Sequence, residues 1–216
     1  MLDIHTHIIP SVDDGSSSLE MSLSMIDLEI KGGVDEIVFT PHSYCHKDIL
    51  KEDILKSFSM LENKLREKYP NLKYYLGQEI YYDKTTFTKL ENKEYISINN
   101  SKYILIEFNY YITLDELEDI IYTIRLKGYE PIIAHIERYN IDLKDYYILK
   151  KNTNVLMQVN TKFVLENKHK AKRMIKDKII DYIASDCHST NTRCPNLDKV
   201  KKLVEKYNLN INRFDK

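Results

Sequence analysis

Five of the seven histidines in this 216-residue chain stand near acidic residues at the ends of short apolar runs. His5 and His7 form an H-x-H pair, and Asp13 and Asp14 follow in the next loop. His42 ends IVFTPH, Glu79 ends LKYYLGQE, Glu107 lies at the end of YILIEF, and His135 ends PIIAH. Asp186 and His188 follow in DYIASDCH. Alternation along a strand puts the two rings of an H-x-H pair on one face. Imidazole and carboxylate donors without thiols suit zinc, manganese, iron or magnesium better than soft-metal or iron–sulfur sites. A single histidine at a strand end is ordinarily a hydrogen-bonded packing residue. Recurrence over independent segments is what makes this set a candidate site. With one aspartate from the DDG loop, six strands and one loop deliver nine candidate ligands. That exceeds what one ion needs. A bridging carboxylate would let the set serve two or three ions, the machinery typical of phosphate ester hydrolysis.

Residues this far apart in sequence meet only if the elements carrying them converge. Runs rich in Ile, Val and Tyr predict strands over 2–5, 34–39, 72–80, 103–108, 130–134, 154–159 and 179–184. Helical spacing predicts helices over 17–31, 49–68, 113–127, 163–177 and 197–207. The first of these begins with serines ahead of Glu20, the pattern of a capping box, and ends at Gly32-Gly33. Repeated strand–helix alternation implies an α/β fold with a largely parallel sheet, open or closed into a barrel. In such folds the carboxyl ends of the strands share one rim, where ligands bind. The chain has five glycines and neither a G-x-G-x-x-G nor a Walker sequence, so no phosphate-cradling glycine loop is expected.

Composition narrows the function classes. The length suits a single domain over residues 1–216, with a core large enough to fold without staples. Thirty-two basic and 33 acidic side chains leave a net charge of −1, which argues against a nucleic-acid binder. Cys45, Cys187 and Cys194 show no C-x-x-C spacing and read as reduced thiols. The N-terminus lacks the basic and apolar regions of a signal peptide, and no apolar run is long enough to span a bilayer. A cytoplasmic protein without membrane insertion is expected.

The stretches DIHTHIIPSVDDG, TPH, GQEIYY, YILIEF, PIIAHIERY, QVN and IASDCHSTNTR carry a family resemblance over nearly the whole chain. The chain resembles the polymerase-and-histidinol-phosphatase (PHP) superfamily. Within it, the chain is most similar to the manganese-dependent tyrosine phosphatases of bacterial capsule and exopolysaccharide operons, the CpsB/CapC type. H-x-H is generic to the superfamily, whereas VDDG, AHIERY and ASD-x-H with an arginine five residues on are specific to the phosphatases. The resemblance implies a distorted (β/α)7 TIM-like barrel with metals at the C-terminal rim of its strands. It implies three ions, manganese first, with iron, zinc, cobalt or magnesium as alternatives. His5, His7, Glu79 and Asp186 would hold the first ion. Glu79 would bridge to a second ion, completed by Glu107 and His135. Asp14, His42 and His188 would hold the third, with Asp13 as a supporting partner or loop cap. Arg138 and Arg193 match the family's phosphate-binding arginines. The implied substrate is the phosphotyrosine tail of an autophosphorylated bacterial tyrosine kinase. The expected chemistry is in-line attack on phosphorus by a metal-activated hydroxide, with the guanidinium forks on the remaining oxygens.

Other readings compete. Cys187 to Arg193 spells C-x5-R, the spacing of thiolate phosphatases, but it lacks the glycine such a loop needs and leaves the nine ligands without a role. A histidinol-phosphatase-like esterase acting on another small phosphate would use the same metals. A non-catalytic metal-binding regulator of a kinase would not need both arginines. Arg138 could instead pair with its neighbour Glu137. The basic run Lys168, Lys170, Lys172, Arg173, Lys176, Lys178 reads as a solvated face that could attract an acidic tail. His46 and His169 read as solvent residues. The tyrosine pairs at 74–75, 81–82, 110–111 and 146–147 read as packing and pocket lining.

Overall fold

The computed structural model describes residues 1–44 and 46–214, so Cys45 lies outside the described residues. Strands and helices alternate along them: β1 (Leu2–Thr6), α1 (Leu19–Lys31), β2 (Glu36–Phe39), α2 (Lys51–Lys68), β3 (Lys73–Leu76), β4 (Glu79–Tyr81), α3 (Thr86–Glu91) and β5 (Tyr103–Glu107). Then follow α4 (Leu114–Leu126), β6 (Glu130–Ile133), α5 (Leu143–Thr153), β7 (Leu156–Asn160), α6 (Thr161–Glu166), α7 (Lys168–Lys176), β8 (Tyr182–Ala184) and α8 (Lys201–Tyr207). The strands form two sheets, β1-β2-β3 and β4-β5-β6-β7-β8, and every pairing is parallel. The expected α/β architecture is present.

Isolated parallel bridges extend the pairing between the sheets. Thr6 pairs with Cys187 beyond β8, and His42 beyond β2 pairs with Glu79. One buried cluster draws Ile4, Val38 and Tyr75 from the first sheet and Leu105, Ile132 and Tyr182 from the second around Phe214. A larger layer packs the helices on the opposite faces, through residues such as Ile37, Phe39, Ile106, Ile133 and Ile183.

Local chemistry explains the helices. Ser18 caps α1 by accepting from Met21 N, one residue later than the predicted box, so Glu20 lies in the first turn. Ser22, Met25, Ile26 and Glu29 form its buried face. A complete capping box does exist at Thr113 and Glu116, opening α4. Its buried residues Leu117, Ile120, Ile121 and Ile124 recur at helical spacing. Burying each such side chain stabilises the fold by about 1.5–3 kcal/mol.

The structure departs from expectation in four places. The run 72–80 breaks at Gly77-Gln78, giving two strands in place of one. A Cβ on Gly77 would come within 2.9 Å of the buried Ile98 Cγ1, so any larger residue there would force Ile98 to shift. The segment 163–177 breaks at Asn167 into α6 and α7. The helices α3 and α5 had no clear periodic signal, and α5 buries only Tyr146 and Leu149. Tyr110 and Tyr111 are exposed, so they do not serve as packing. Lys168, Lys170, Lys172, Arg173 and Lys176 of α7 are all exposed, as are His46 and His169.

Candidate metal centre

The strand ends bring all nine predicted ligands together. Their nitrogen and oxygen atoms form four overlapping groups: His7, Asp14, His42, His188; His5, His7, Asp186; His5, Glu79, His135; and His42, Glu79, Glu107. Within each group the atoms lie within 4.8 Å of one another. The break at Gly77-Gln78 makes Glu79 the first residue of β4, where it was expected near a strand end. The bridge to His42 and the Ser43 N–H donation to Glu79 O at 2.8 Å keep it at rim level. A register shift in β1 between Asp3 and Thr6 marks a bulge, which re-aims the residues around His5. His135 and Asp186 both occupy the left-handed region, with φ of 30° and 52°. That conformation is costly for residues with a Cβ and collects at functional sites.

Glu79 is the hub. Its Oε2 lies 3.1 Å from His5 Nε2, 3.1 Å from His7 Nε2 and 3.0 Å from His42 Nδ1. Its Oε1 lies 2.8 Å from His135 Nε2. Glu107 reaches His42 at 3.4 Å and His135 at 3.5 Å. Asp186 Oδ1 lies 3.5 Å from His5 and 3.6 Å from His7. Asp14 Oδ1 is 3.5 Å from both His42 Nε2 and His188 Nε2.

Proton positions follow from the partners. His7 Nδ1 faces Asp13 Oδ2 at 2.7 Å and donates to it, which leaves Nε2, on the Glu79 side, as the atom that could bind a cation. Burial and His42 oppose a charged ring at His7, yet Asp13 and Glu79 outweigh them and raise its pKa. His188 Nδ1 donates to Asp186 O at 3.0 Å, which leaves its Nε2 as an acceptor without a protein partner. Burial and the His7 charge push the His188 pKa down to about 2, so this ring is neutral. Burial works against a charged ring at His42 too, yet Glu79 and Glu107 outweigh it and push the pKa up to about 12. The same contest leaves His135 at about 9. Burial also opposes ionisation of Glu79, but His5 and His42 hold its carboxyl well below the usual range.

The residues fit divalent cations. His42 Nδ1, Glu79 Oε2 and His188 Nε2 are buried polar atoms that make no well-aligned hydrogen bond, although His42 Nδ1 and Glu79 Oε2 lie 3.0 Å apart. His5 Nε2 and His7 Nε2 face each other at 3.1 Å, so a proton or a cation must stand between them. Buried atoms of this kind ordinarily find partners, and a cation would satisfy all of them at once.

The flanking residues sort the competing readings. Asp13 accepts from His7, from His42 N at 3.0 Å and from Gly15 N at 3.0 Å, so it is both a partner of ligands and a loop cap. A Cβ on Gly15 would come within 2.2 Å of His7 O, so the loop closes on the site only with glycine there. Arg138 donates to Asp186 Oδ2, and Arg193 Nη2 donates to Asp186 Oδ1 at 2.7 Å. Arg138 therefore pairs with Asp186 and not with Glu137, whose Oε1 accepts from Asn160 N at 3.1 Å. Gln158 and Asn160 of β7 also stand among the ligands. Neither was predicted, although alternation does place Gln158 opposite the buried Met157 and Val159.

Cys187 does not face this site. Its thiol is fully buried and directed at Glu29 Oε1, 3.7 Å away. Burial, with Glu29 and Asp3 nearby, raises its pKa well above the ordinary thiol value. The residue is a poor nucleophile, and the C-x5-R reading fails. Cys187→Ser is expected to change turnover of a phosphate ester by less than about twofold, because serine keeps a donor to Glu29. A collapse of turnover in a folded variant would contradict this.

Residues 1–212 match the family model for capsular polysaccharide synthesis proteins, CpsB/CapC. The chain belongs to the CpsB/CapC family. Among CpsB/CapC relatives, the tyrosine-protein phosphatase CpsB of Streptococcus agalactiae serotype V is 32% identical over 217 residues, covering 94% of this chain and 89% of its own. The tyrosine-protein phosphatase YwqE of Bacillus subtilis is 29% identical over 217 residues, covering 95% of this chain and 84% of its own. A solved structure from the pair YwqE of Bacillus subtilis and CpsB of Streptococcus pneumoniae, described as metal-dependent tyrosine phosphatases, superposes with a TM-score of 0.85. It is 27% identical and covers 97% of this chain and 89% of its own. Outside the CpsB/CapC family, a histidinol phosphate phosphatase from Lactococcus lactis shares the fold at a TM-score of 0.61 and 14% identity, covering 97% of this chain and 95% of its own.

Proposed function

We propose that this CpsB/CapC chain is a metal-dependent protein-tyrosine phosphatase that dephosphorylates a bacterial tyrosine kinase in the control of surface polysaccharide. The observation that carries the reading is the convergence of nine imidazole and carboxylate side chains on one rim, in overlapping groups that divalent cations would satisfy together. The catalytic domain is the whole chain. Its two sheets close into one distorted barrel of the PHP type. The bridges Thr6–Cys187 and His42–Glu79, and the cluster around Phe214, support closure. The cysteines, read as reduced thiols, support a cytoplasmic location, and no helix among the described residues is long and apolar enough to cross a membrane.

His5, His7, Glu79 and Asp186 would hold one ion. Glu79, Glu107 and His135 would hold a second. Asp14, His42 and His188, with His7 beside them, would hold a third, and manganese is the proposed metal. Bound ions would supply Lewis acidity and a hydroxide nucleophile near neutral pH. Arg138 and Arg193 take the phosphoryl oxygens. Their side chains are 44% and 40% exposed, and each presents further donors beside the one on Asp186. Asp13 keeps the lone pair of His7 turned inward. Phenolate leaves more readily than an alkoxide, so the leaving oxygen needs less help from a general acid.

A proton balance follows. His42 and His135, at about 12 and about 9, are protonated at neutral pH, and a ring must lose that proton to ligate. Metal loading at pH 7 is therefore expected to release about one proton or more per chain. Affinity rises with pH as protons compete less. Calorimetry in two buffers of different ionisation heat measures the release, and zero release would contradict the assignment of these rings.

The function is tested by turnover of a phosphotyrosine peptide against histidinol phosphate, both with added manganese. Preference for the peptide supports the proposal. Turnover of histidinol phosphate alone would keep the site and move the chain to small-molecule phosphate chemistry. No turnover of either by the metal-loaded protein would favour a regulator.

A further inference from the structure

The strand β7 contributes no candidate ligand, yet two of its side chains touch three of them. Gln158 is fully buried and Asn160 is 7% exposed. Gln158 Oε1 lies 2.7 Å from His135 N and 3.3 Å from His5 Nδ1. Gln158 Nε2 lies 2.7 Å from Asn160 Oδ1. Asn160 Nδ2 lies 2.8 Å from Asp186 Oδ2.

The direction of this chain is fixed at both ends. A backbone N–H only donates, so the Gln158 atom facing His135 N is the carbonyl oxygen. A carboxylate only accepts, so the Asn160 atom facing Asp186 is the amide nitrogen. The middle bond must then run from Gln158 to Asn160. Since Gln158 Oε1 only accepts, His5 Nδ1 carries a proton, and the lone pair of the neutral ring sits on Nε2. That atom lies 3.1 Å from Glu79 Oε2 and 3.5 Å from Asp186 Oδ1.

We infer that Gln158 and Asn160 are positioning residues: a one-way amide relay that sets the metal-ready tautomer of His5 and holds Asp186 Oδ2. Its action at the other end leaves Oδ1 toward the imidazoles. The inference rests on the metal reading above. It explains why two amides occupy a buried rim position where an apolar pair would pack without polar cost. Both are needed because neither alone joins an N–H end to a carboxylate end.

The test is titration of Mn2+ into the metal-stripped full-length chain, with free ion read by electron paramagnetic resonance. Asn160→Ala and Gln158→Met are each expected to weaken the tightest binding about 10–100-fold, the usual effect of losing a ligand's hydrogen-bond partner. The double variant is expected to bind no more weakly than the worse single one, because one break interrupts the relay. Saturating manganese is expected to restore kcat with KM unchanged, which a general loss of folding would not allow. Affinities within twofold of wild type in both variants, or losses that add in full in the double variant, would overturn the relay. If Gln158→Met fails to fold, Asn160→Ala decides alone. A wild-type chain that binds no manganese would instead remove the metal reading itself.

Discussion

Glu79→Gln is expected to lower turnover of a phosphotyrosine peptide by about a thousandfold or more, since it strips the site of its shared ligand. The side chain is 1% exposed and faces four imidazoles between 2.8 and 3.1 Å. Glutamine keeps the shape and one acceptor but loses the charge that two ions would share. The loss should appear without any assay of turnover. A ligand that binds only the folded state at a hundred times its Kd stabilises it by about 2.7 kcal/mol. Manganese should therefore raise the melting temperature of the wild type clearly more than that of Glu79→Gln, which keeps only the Asp14, His42 and His188 group intact. The metal-free variant should still fold, because the substitution also removes a buried negative charge that only imidazoles offset. A variant that retains activity or the full manganese-induced shift would contradict the shared-ligand role.

The second large effect concerns the arginines. Arg138→Lys and Arg193→Lys are each expected to reduce kcat/KM for the peptide about 10²–10³-fold while leaving manganese binding nearly intact. Lysine keeps the charge but offers a point donor where the guanidinium offers a planar fork. Both arginines rest on Asp186, one on each oxygen, so a single replacement leaves that carboxylate with a partner. The split between lost turnover and retained metal separates phosphate binding from ligand support. Loss of metal in step with activity would assign the arginines to Asp186 instead.

The ligands were legible because each sits where an apolar strand ends, and parallel strands share a rim. His5, His42, Glu107 and Asp186 could be read that way from strand ends alone. Glu79 lies in a run that breaks at Gly77-Gln78, where the chain passes close to Ile98, a contact that periodicity does not carry. The α6–α7 break at Asn167 and the weak α5 face depend on tertiary packing that periodicity does not carry. Gln158 and Asn160 were missed because amides in a strand usually mean a solvated face. What sets them apart is burial, which appears only once β7 lies between β6 and β8. Cys187 shows the opposite case. Its spacing to Arg193 suggested chemistry, but the strand turns the thiol away from the rim, toward Glu29.

The most direct test of the metal-dependent reading is turnover of a phosphotyrosine peptide measured against manganese bound per chain, starting from metal-stripped protein. No turnover without metal, a rise as the rim fills, and loss on chelation are the expected results. Undiminished turnover by protein shown by elemental analysis to hold no metal would contradict it.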